Sequence, residues 1–230
     1  MAGTTAATHR RSTVLKRSMD TDVALASRLA RDLEAGFPDL VDQHQDRLYT
    51  IALRLLGDRR DAEEVAQDAF VRAFRAMQGY RRERILALRL RPWLASIAVN
   101  LARNRRRRAA DRQPPSPLEP MLDAGFDVAG DGRSLPELRV DRRETQRDLA
   151  AALLRLTPSV RAAVVLRHVD GLSVAETAAA LGRPEGTIKA QVHRGLRDLR
   201  AVLEADPGRP TQTPNHTRAG RLLPALEALR

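Results

Sequence analysis

From Asp22 onward the apolar positions recur at three- and four-residue steps, first Val23, Ala26, Leu29, Ala30 and Leu33, then Leu40, Val41, Leu48, Ile51, Ala52 and Leu55, with His44 on the same stripe. This is the period of an amphipathic helix. Gly57 closes the second of these helices. Asp61 followed by Glu64 has capping-box spacing and predicts the start of a third, whose inward stripe is Val65, Ala66, Ala69, Phe70, Ala73, Phe74 and Met77, with Gly79 ending it. After an Arg-rich loop, Pro92 at a first helical position opens a fourth helix lined by Trp93, Leu94, Ile97, Ala98 and Leu101, which runs into Arg103, Asn104 and Arg105 to Arg108.

The pattern then breaks. Residues 109–140 turn to Pro, Gly, Asp and Glu, with Pro114, Pro115, Pro117 and Pro120 close together, and read as a flexible linker. Its acidic residues (Glu119, Asp123, Asp127, Asp131 and Glu137) follow directly on the basic run and could shadow it when nucleic acid is absent. Helical periodicity resumes with Leu149, Ala152, Leu153 and Leu156. Thr157-Pro158 reads as an N-cap and first-turn proline, and Val160, Val164, Val165 and Val169 continue the core face. Asp170-Gly171 makes a turn, Ser173 with Glu176 repeats the capping box, and a short Ala-rich helix ends at Leu181-Gly182. Pro184 opens a last long helix carrying Ile188, Val192, Leu196, Leu199 and Val202. Residues 1–20 read as a disordered leader. Residues 205–230 are a tail with a short amphipathic stretch. The expectation is an all-α chain of two small helical domains, 21–108 and 141–204, each with its own core.

Composition narrows the partner. The 230 residues hold 40 Lys+Arg against 29 Asp+Glu, a formal net charge of +11, which favours a polyanion such as nucleic acid or an acidic membrane surface. The positive charge is nearly all Arg, with Lys only at Lys16 and Lys189. A GC-rich coding bias produces that frequency, so Arg position is more informative than Arg number. The lack of Cys excludes disulfides, thiolate metal sites and cysteine nucleophiles. No run has signal-peptide or membrane-spanning character, so a cytoplasmic protein without membrane insertion is expected. The five histidines, His9, His44, His168, His193 and His216, share no ligand spacing. With no Gly-rich phosphate loop, Ser elbow or HExxH helix either, no catalytic residue, metal or cofactor is expected.

Residues 173–200, SVAETAAALGRPEGTIKAQVHRGLRDLR, have the layout of a helix-turn-helix. Small Ala178 and Ala179 permit a close helix crossing, and Gly182 suits the left-handed turn. The second helix is polar at its N-terminal end, as entry into a major groove requires. Arg183, Glu185, Gly186, Thr187, Lys189, Gln191 and Arg194 lie there, most with side chains able to reach phosphates or base edges. An ordinary helical hairpin with a solvated charged face has the same pattern.

That segment, with the preceding LTPSVRAAVVLRHVDGLS, resembles the C-terminal domain of sigma factors, whose helix-turn-helix binds the minus-thirty-five promoter element. DAEEVAQDAFVRAFRAM resembles the core-binding helix of the sigma N-terminal domain, and RPWLASIAVNLARNRRRR resembles the helix that recognises the minus-ten element. Two matches in this order, joined by a Pro-rich linker, mark the extracytoplasmic-function group of the sigma-70 family. The resemblance implies that Asp61, Glu63, Glu64, Gln67 and Asp68 face core RNA polymerase. It implies that Trp93, Asn100, Arg103, Asn104, Arg105, Arg107 and Arg108 meet the minus-ten region as duplex and as locally melted strand. It also implies control by an anti-sigma factor or by terminal segments. RRERILALRLRP is longer and richer in Arg and Leu than the family's loop before this helix, leaving Tyr80 and Trp93 as the nearby aromatic groups; a Trp so placed is more often core than a stacking platform.

Other readings remain open at this level. A helix-turn-helix regulator could bind a palindrome as a dimer without polymerase. An Arg-rich RNA-binding or membrane-surface protein needs neither promoter nor partner enzyme. The acidic face of the third helix could be merely solvated, and the basic end of the fourth could serve only its own dipole.

Overall fold

The structure, a computed structural model, describes residues 21–112 and 136–204, with side chains described up to Ala109 and from Gln146 onward. The leader, most of the linker and the tail lie outside the described residues, which contain helices and no strand. Helix α1 spans 21–31, α2 Leu33–Leu56, α3 Arg59–Gln78, α4 Arg82–Leu86 and α5 Leu90–Arg112. In the second half α6 is Pro136–Arg155, α7 Pro158–Val164, α8 Val174–Leu181 and α9 Glu185–Glu204.

Local chemistry sets most of the boundaries. Gly57 ends α2 at φ 83°, its N–H bonded to the Leu53 carbonyl, and Gly182 ends α8 at φ 61°. Only glycine adopts this left-handed geometry without strain. Ser173 and Glu176 form the expected capping box: the hydroxyl accepts from the Glu176 N–H at 3.1 Å and the carboxylate from the Ser173 N–H at 2.8 Å. Pro158 does sit at the first turn of α7, though the Thr157 side chain makes no cap bond.

Other expectations are corrected. Helix α3 starts at Arg59, not Asp61, because Asp58 is the N-cap and accepts from the Asp61 N–H at 2.8 Å. Helix α5 begins at Leu90, so Pro92 is its third residue, where the missing N–H is still one that no helical carbonyl would have used. The same helix runs to Arg112, and α6 begins at Pro136, so both edges of the expected linker are helical. The Arg-rich loop contains α4. Val23 is 67% exposed and Ala179 is exposed, whereas Ala178 is buried.

Helices α2, α3 and α5 pack together as one bundle, and α7, α8 and α9 as another, with α6 lying against α9. Phe37 of α2 meets Phe74 of α3 edge-on at 4.9 Å and Phe70 at 6.5 Å. In the second bundle Gly195 of α9 lets α7 approach closely: a Cβ there would stand 2.4 Å from Val164 Cγ2. Helix α7 continues into a π-helical turn, Val165–Val169, ending where the Asp170 N–H bonds the Val165 carbonyl at 2.9 Å.

The two cores are not separate. Buried residues from Leu25 to Leu199 form one continuous apolar cluster, with α5 against α8 and α2 against α6, α7 and the π-turn. Leu154 fills the space beside Gly57, where a Cβ would lie 2.5 Å from its Cδ1. Polar bonds reinforce the packing. Arg161 of α7, buried, gives Nη1 to the Leu55 carbonyl at 2.7 Å and Nη2 to that of Leu156 at 3.0 Å, capping the C-terminal end of α2 from the other half. Burial, and then the charge of Arg106, lower its pKa to about 10, so it stays charged at neutral pH.

Candidate nucleic-acid interface

The α8–turn–α9 unit is a helix-turn-helix held from behind. Ile188 and Leu199 are wholly buried, and α9 lies against α6, α7 and α8, so its opposite face is free. Glu185, Gly186, Thr187, Lys189 and Arg194 are exposed at its N-terminal half, as expected, and His193, Arg197 and Arg200 extend that face. Two expected contacts are placed differently. Gln191 is half-buried with its side-chain oxygen enclosed and lacking a hydrogen-bond partner. Arg183, before the helix, is half-buried and turned toward α5.

On α5, Asn100, Arg103, Arg107 and Arg108 are exposed and Asn104 is half-buried. Asn100 accepts a bond from Arg103 Nη2 at 2.9 Å. Arg105 points to α3 instead: its guanidinium takes Asp61 at 2.6 Å and also binds Glu64, which Arg60 approaches at 3.3 Å. The hydrogen bonds that Arg105 donates to both carboxylates, Asp61 foremost, raise its pKa. Asp61 and Glu64, expected to face polymerase, thus already serve an internal ion triad, while Glu63, Gln67 and Asp68 are exposed and unengaged by it.

Helical spacing explains the division. Arg103, Arg106 and Arg107 stand three and four residues apart on one face, and Arg105 belongs to another. The spacing alone could have singled out Arg106, which sequence reasoning left unassigned. Those three arginines and Arg183 surround a cleft of about 360 Å³ between the halves, with a floor of Leu55, Val99, Ala102, Pro158, Ala162 and Leu181.

At the start of α5 Trp93 is half-buried, its ring centroid 6.2 Å from that of Tyr80, and the Arg84 guanidinium lies 3.8 Å above the Tyr80 ring. Arg81, Arg82, Arg84 and Arg89 are exposed around α4, making this corner basic. Glu176 serves two ends at once: its carboxylate completes the α8 capping box and takes Arg89 at 3.0 Å. Although burial opposes it, the Ser173 hydrogen bonds together with Arg89 and Arg91 hold its pKa below the ordinary value. No cluster of metal-ligating side chains occurs among the described residues, and none of their helices is long and apolar enough to cross a membrane.

Residues 40–112 match the family model for sigma-70 region 2, and residues 146–199 match that for sigma-70 region 4. Among curated proteins, the chain is 37% identical over 169 residues to the ECF RNA polymerase sigma factor SigE of Mycolicibacterium smegmatis, a match covering 73% of this chain and 62% of that protein. It is 33% identical over 175 residues to the ECF RNA polymerase sigma factor SigW of Bacillus subtilis, covering 73% of this chain and 89% of that one. Among solved structures, CnrH in complex with the cytosolic domain of CnrY is similar at TM-score 0.56 and 27% identity, over 80% of this chain and 98% of that one. The chain therefore belongs to the sigma-70 family, as an RNA polymerase sigma factor of the extracytoplasmic-function group.

Proposed function

We propose that the chain brings core RNA polymerase to particular promoters, assists their opening, and leaves the chemistry of transcription to the polymerase. The observation that carries this reading is the presence, on one chain, of two basic helical surfaces of different design. One is the exposed N-terminal face of α9, the second helix of the helix-turn-helix; the other is the exposed arginine and asparagine face of α5. Thr187, Lys189 and Arg194 would enter the major groove of the minus-thirty-five element, with Glu185 and Gly186 at the helix start. Asn100, Arg103, Arg107 and Arg108 would hold the minus-ten region, with Trp93 and Tyr80 beside the melted strand.

Glu63, Gln67 and Asp68, on the exposed face of α3, are the proposed contacts to core polymerase. Each DNA contact alone is weak. Holding both on one polymerase turns the second into an intramolecular event, so the spacing of the two elements becomes part of specificity. The site of action is the cytoplasm. A regulatory protein that engages both halves, an anti-sigma factor, is the further partner proposed; in the CnrH structure the partner is the cytosolic domain of CnrY.

The reading is tested by native-gel binding to purified core polymerase, followed by footprinting of the complex on genomic fragments. A stable complex protecting two spaced, dissimilar elements is expected. Protection of a palindrome by the chain alone, as a dimer, would replace this reading with that of a self-sufficient regulator.

A further inference from the structure

The cleft between α5 and the α7–α8 pair has a one-sided chemistry. Arg103, Arg106, Arg107 and Arg183 surround it, no carboxylate lines it, and among the described residues none of the four is ion-paired. Its floor is apolar. Four guanidinium groups drawn together over an apolar surface repel one another, so the cleft is matched to an occupant both acidic and apolar.

We propose that this cleft is the docking surface for the chain's own segment 118–131, LEPMLDAGFDVAGD. The segment interleaves Leu118, Met121, Leu122, Phe126 and Val128 with Glu119, Asp123, Asp127 and Asp131, and holds no basic residue. Four carboxylates thus face four arginines, and the apolar side chains have a floor to cover. Phe126 is one of four phenylalanines in the chain and the one aromatic residue of the segment, an anchor suited to an apolar floor. Position favours the match as well. Helix α5 ends at Arg112, little more than one turn past Arg107. The six residues from 113 to 118 can span at most about 3.3–3.6 Å each, a reach sufficient to return to the cleft.

Docking does not depend on the sigma reading, but its consequence does. The cleft arginines include two of the proposed DNA contacts, Arg103 and Arg107, so the segment and nucleic acid compete for them. Non-specific DNA binding by the free chain is then weakened. A tether this short supplies an effective concentration in the millimolar range. A segment that would bind in trans at about 0.1 mM is therefore docked about ten to one, and DNA binds about ten-fold more weakly than to a chain without it.

The lack of cysteine and the single aromatic of the segment make the test direct. Phe126 is replaced by the photo-crosslinker p-benzoylphenylalanine in the full chain, free of polymerase, and the crosslinks are mapped. A second chain carries residues 118–131 rearranged so that the acidic and apolar residues are grouped and no longer interleaved, with net charge unchanged. Crosslinks to α5 between Val99 and Arg107, or to the stretches 158–162 and 181–183, are expected in the first chain and absent from the second. The second chain is also expected to bind random-sequence duplex about ten-fold more tightly at low salt. Crosslinks outside the cleft, or crosslinking and DNA affinity alike in both chains, would overturn the proposal and leave the cleft to an acidic segment of another protein or to a nucleic-acid backbone. Because polymerase is absent, a failed transcription assay would not bear on this result.

Discussion

Arg47 of α2 and Asp170, which follows the π-turn, join the two halves through a bidentate ion pair buried on the Asp side. The Asp170 side chain is 1% exposed; Arg47 Nη2 reaches its Oδ2 at 2.5 Å and Nε takes Oδ1. Arg91 of α5 adds a bond from Nη2 to the Asp170 carbonyl at 3.0 Å, and Arg47 Nη2 bonds the Arg91 carbonyl at 3.1 Å. Three elements thus meet at Asp170, Arg47 at its carboxylate and Arg91 at its backbone carbonyl. Removing one partner of such a pair leaves the other charge without its counterion in a low-dielectric site. Asp170→Ala is expected to lower stability by about 3 kcal/mol in urea unfolding, and small-angle scattering of the variant is expected to show a larger radius as the halves separate. An unchanged midpoint and radius would mean that apolar contact alone holds them.

Two glycines of α9 separate packing from recognition. At Gly195 a Cβ would stand 2.4 Å from Val164 Cγ2 and 2.8 Å from Val160 Cγ1, so Gly195→Ala forces α9 off α7. The expected loss is about 1–3 kcal/mol by thermal denaturation. At Gly186 a Cβ meets nothing within 4 Å, and Gly186→Ala is expected to be neutral or slightly stabilising, by up to about 0.5 kcal/mol, through helix propensity. A loss of promoter affinity in that stable variant would show that DNA approaches the helix backbone there.

Much of this fold was legible because its signals are local. The Ser173–Glu176 box, Gly57, Gly182 and Pro158 each act within a few residues of themselves, and the structure uses all four as expected. The start of α3 was misread because Asp58 and Asp61 both precede a partner three residues on, and what draws the Asp61 side chain away is Arg105, 44 residues later. Likewise the union of the halves depends on Arg47 with Asp170, 123 residues apart, a relationship that no periodicity carries. In the site, exposure on α9 followed from the helical stripe. The diversion of Arg105 and Arg183 did not, since each depends on a neighbour from another element.

The arginines of α5 should therefore differ in their effect on salt dependence. Arg107 and Arg108 are exposed, whereas Asp61 and Glu64 hold Arg105. Arg107→Ala and Arg108→Ala are each expected to reduce the slope of log affinity against log salt by about 0.7–0.9 for each phosphate left unneutralised. Arg105→Ala should leave the slope unchanged and lower stability by about 1 kcal/mol or less, as befits a part-exposed triad. Equal slope changes in all three would place Arg105 on the DNA.

His44 gives the fold a pH dependence. It is buried in α2, and burial first, then the charges of Arg47 and Arg91, hold its pKa down at about 4. Asp22, 3.6 Å from its Nε2, does not offset this. With the folded value below the unfolded one, near 6.5, the unfolded chain binds the extra proton between about pH 6.5 and 4. The stability His44 allows is complete above pH 6.5 and is lost as pH falls through that window, on the order of 3 kcal/mol in all. Asp22, its pKa raised by burial, works weakly in the opposite sense at the acid end. Urea midpoints at several pH values should fall below pH 6.5 in the parent chain and stay flatter in His44→Gln.

Run-off transcription by purified core polymerase, with and without the chain, on pooled genomic fragments is the most direct test of the sigma-factor assignment. Transcripts that need the chain, from starts preceded by two spaced elements, are expected, and Thr187→Ala with Lys189→Ala should abolish them while leaving polymerase binding intact. Absence of any chain-dependent transcript, with no binding to core polymerase, would contradict it.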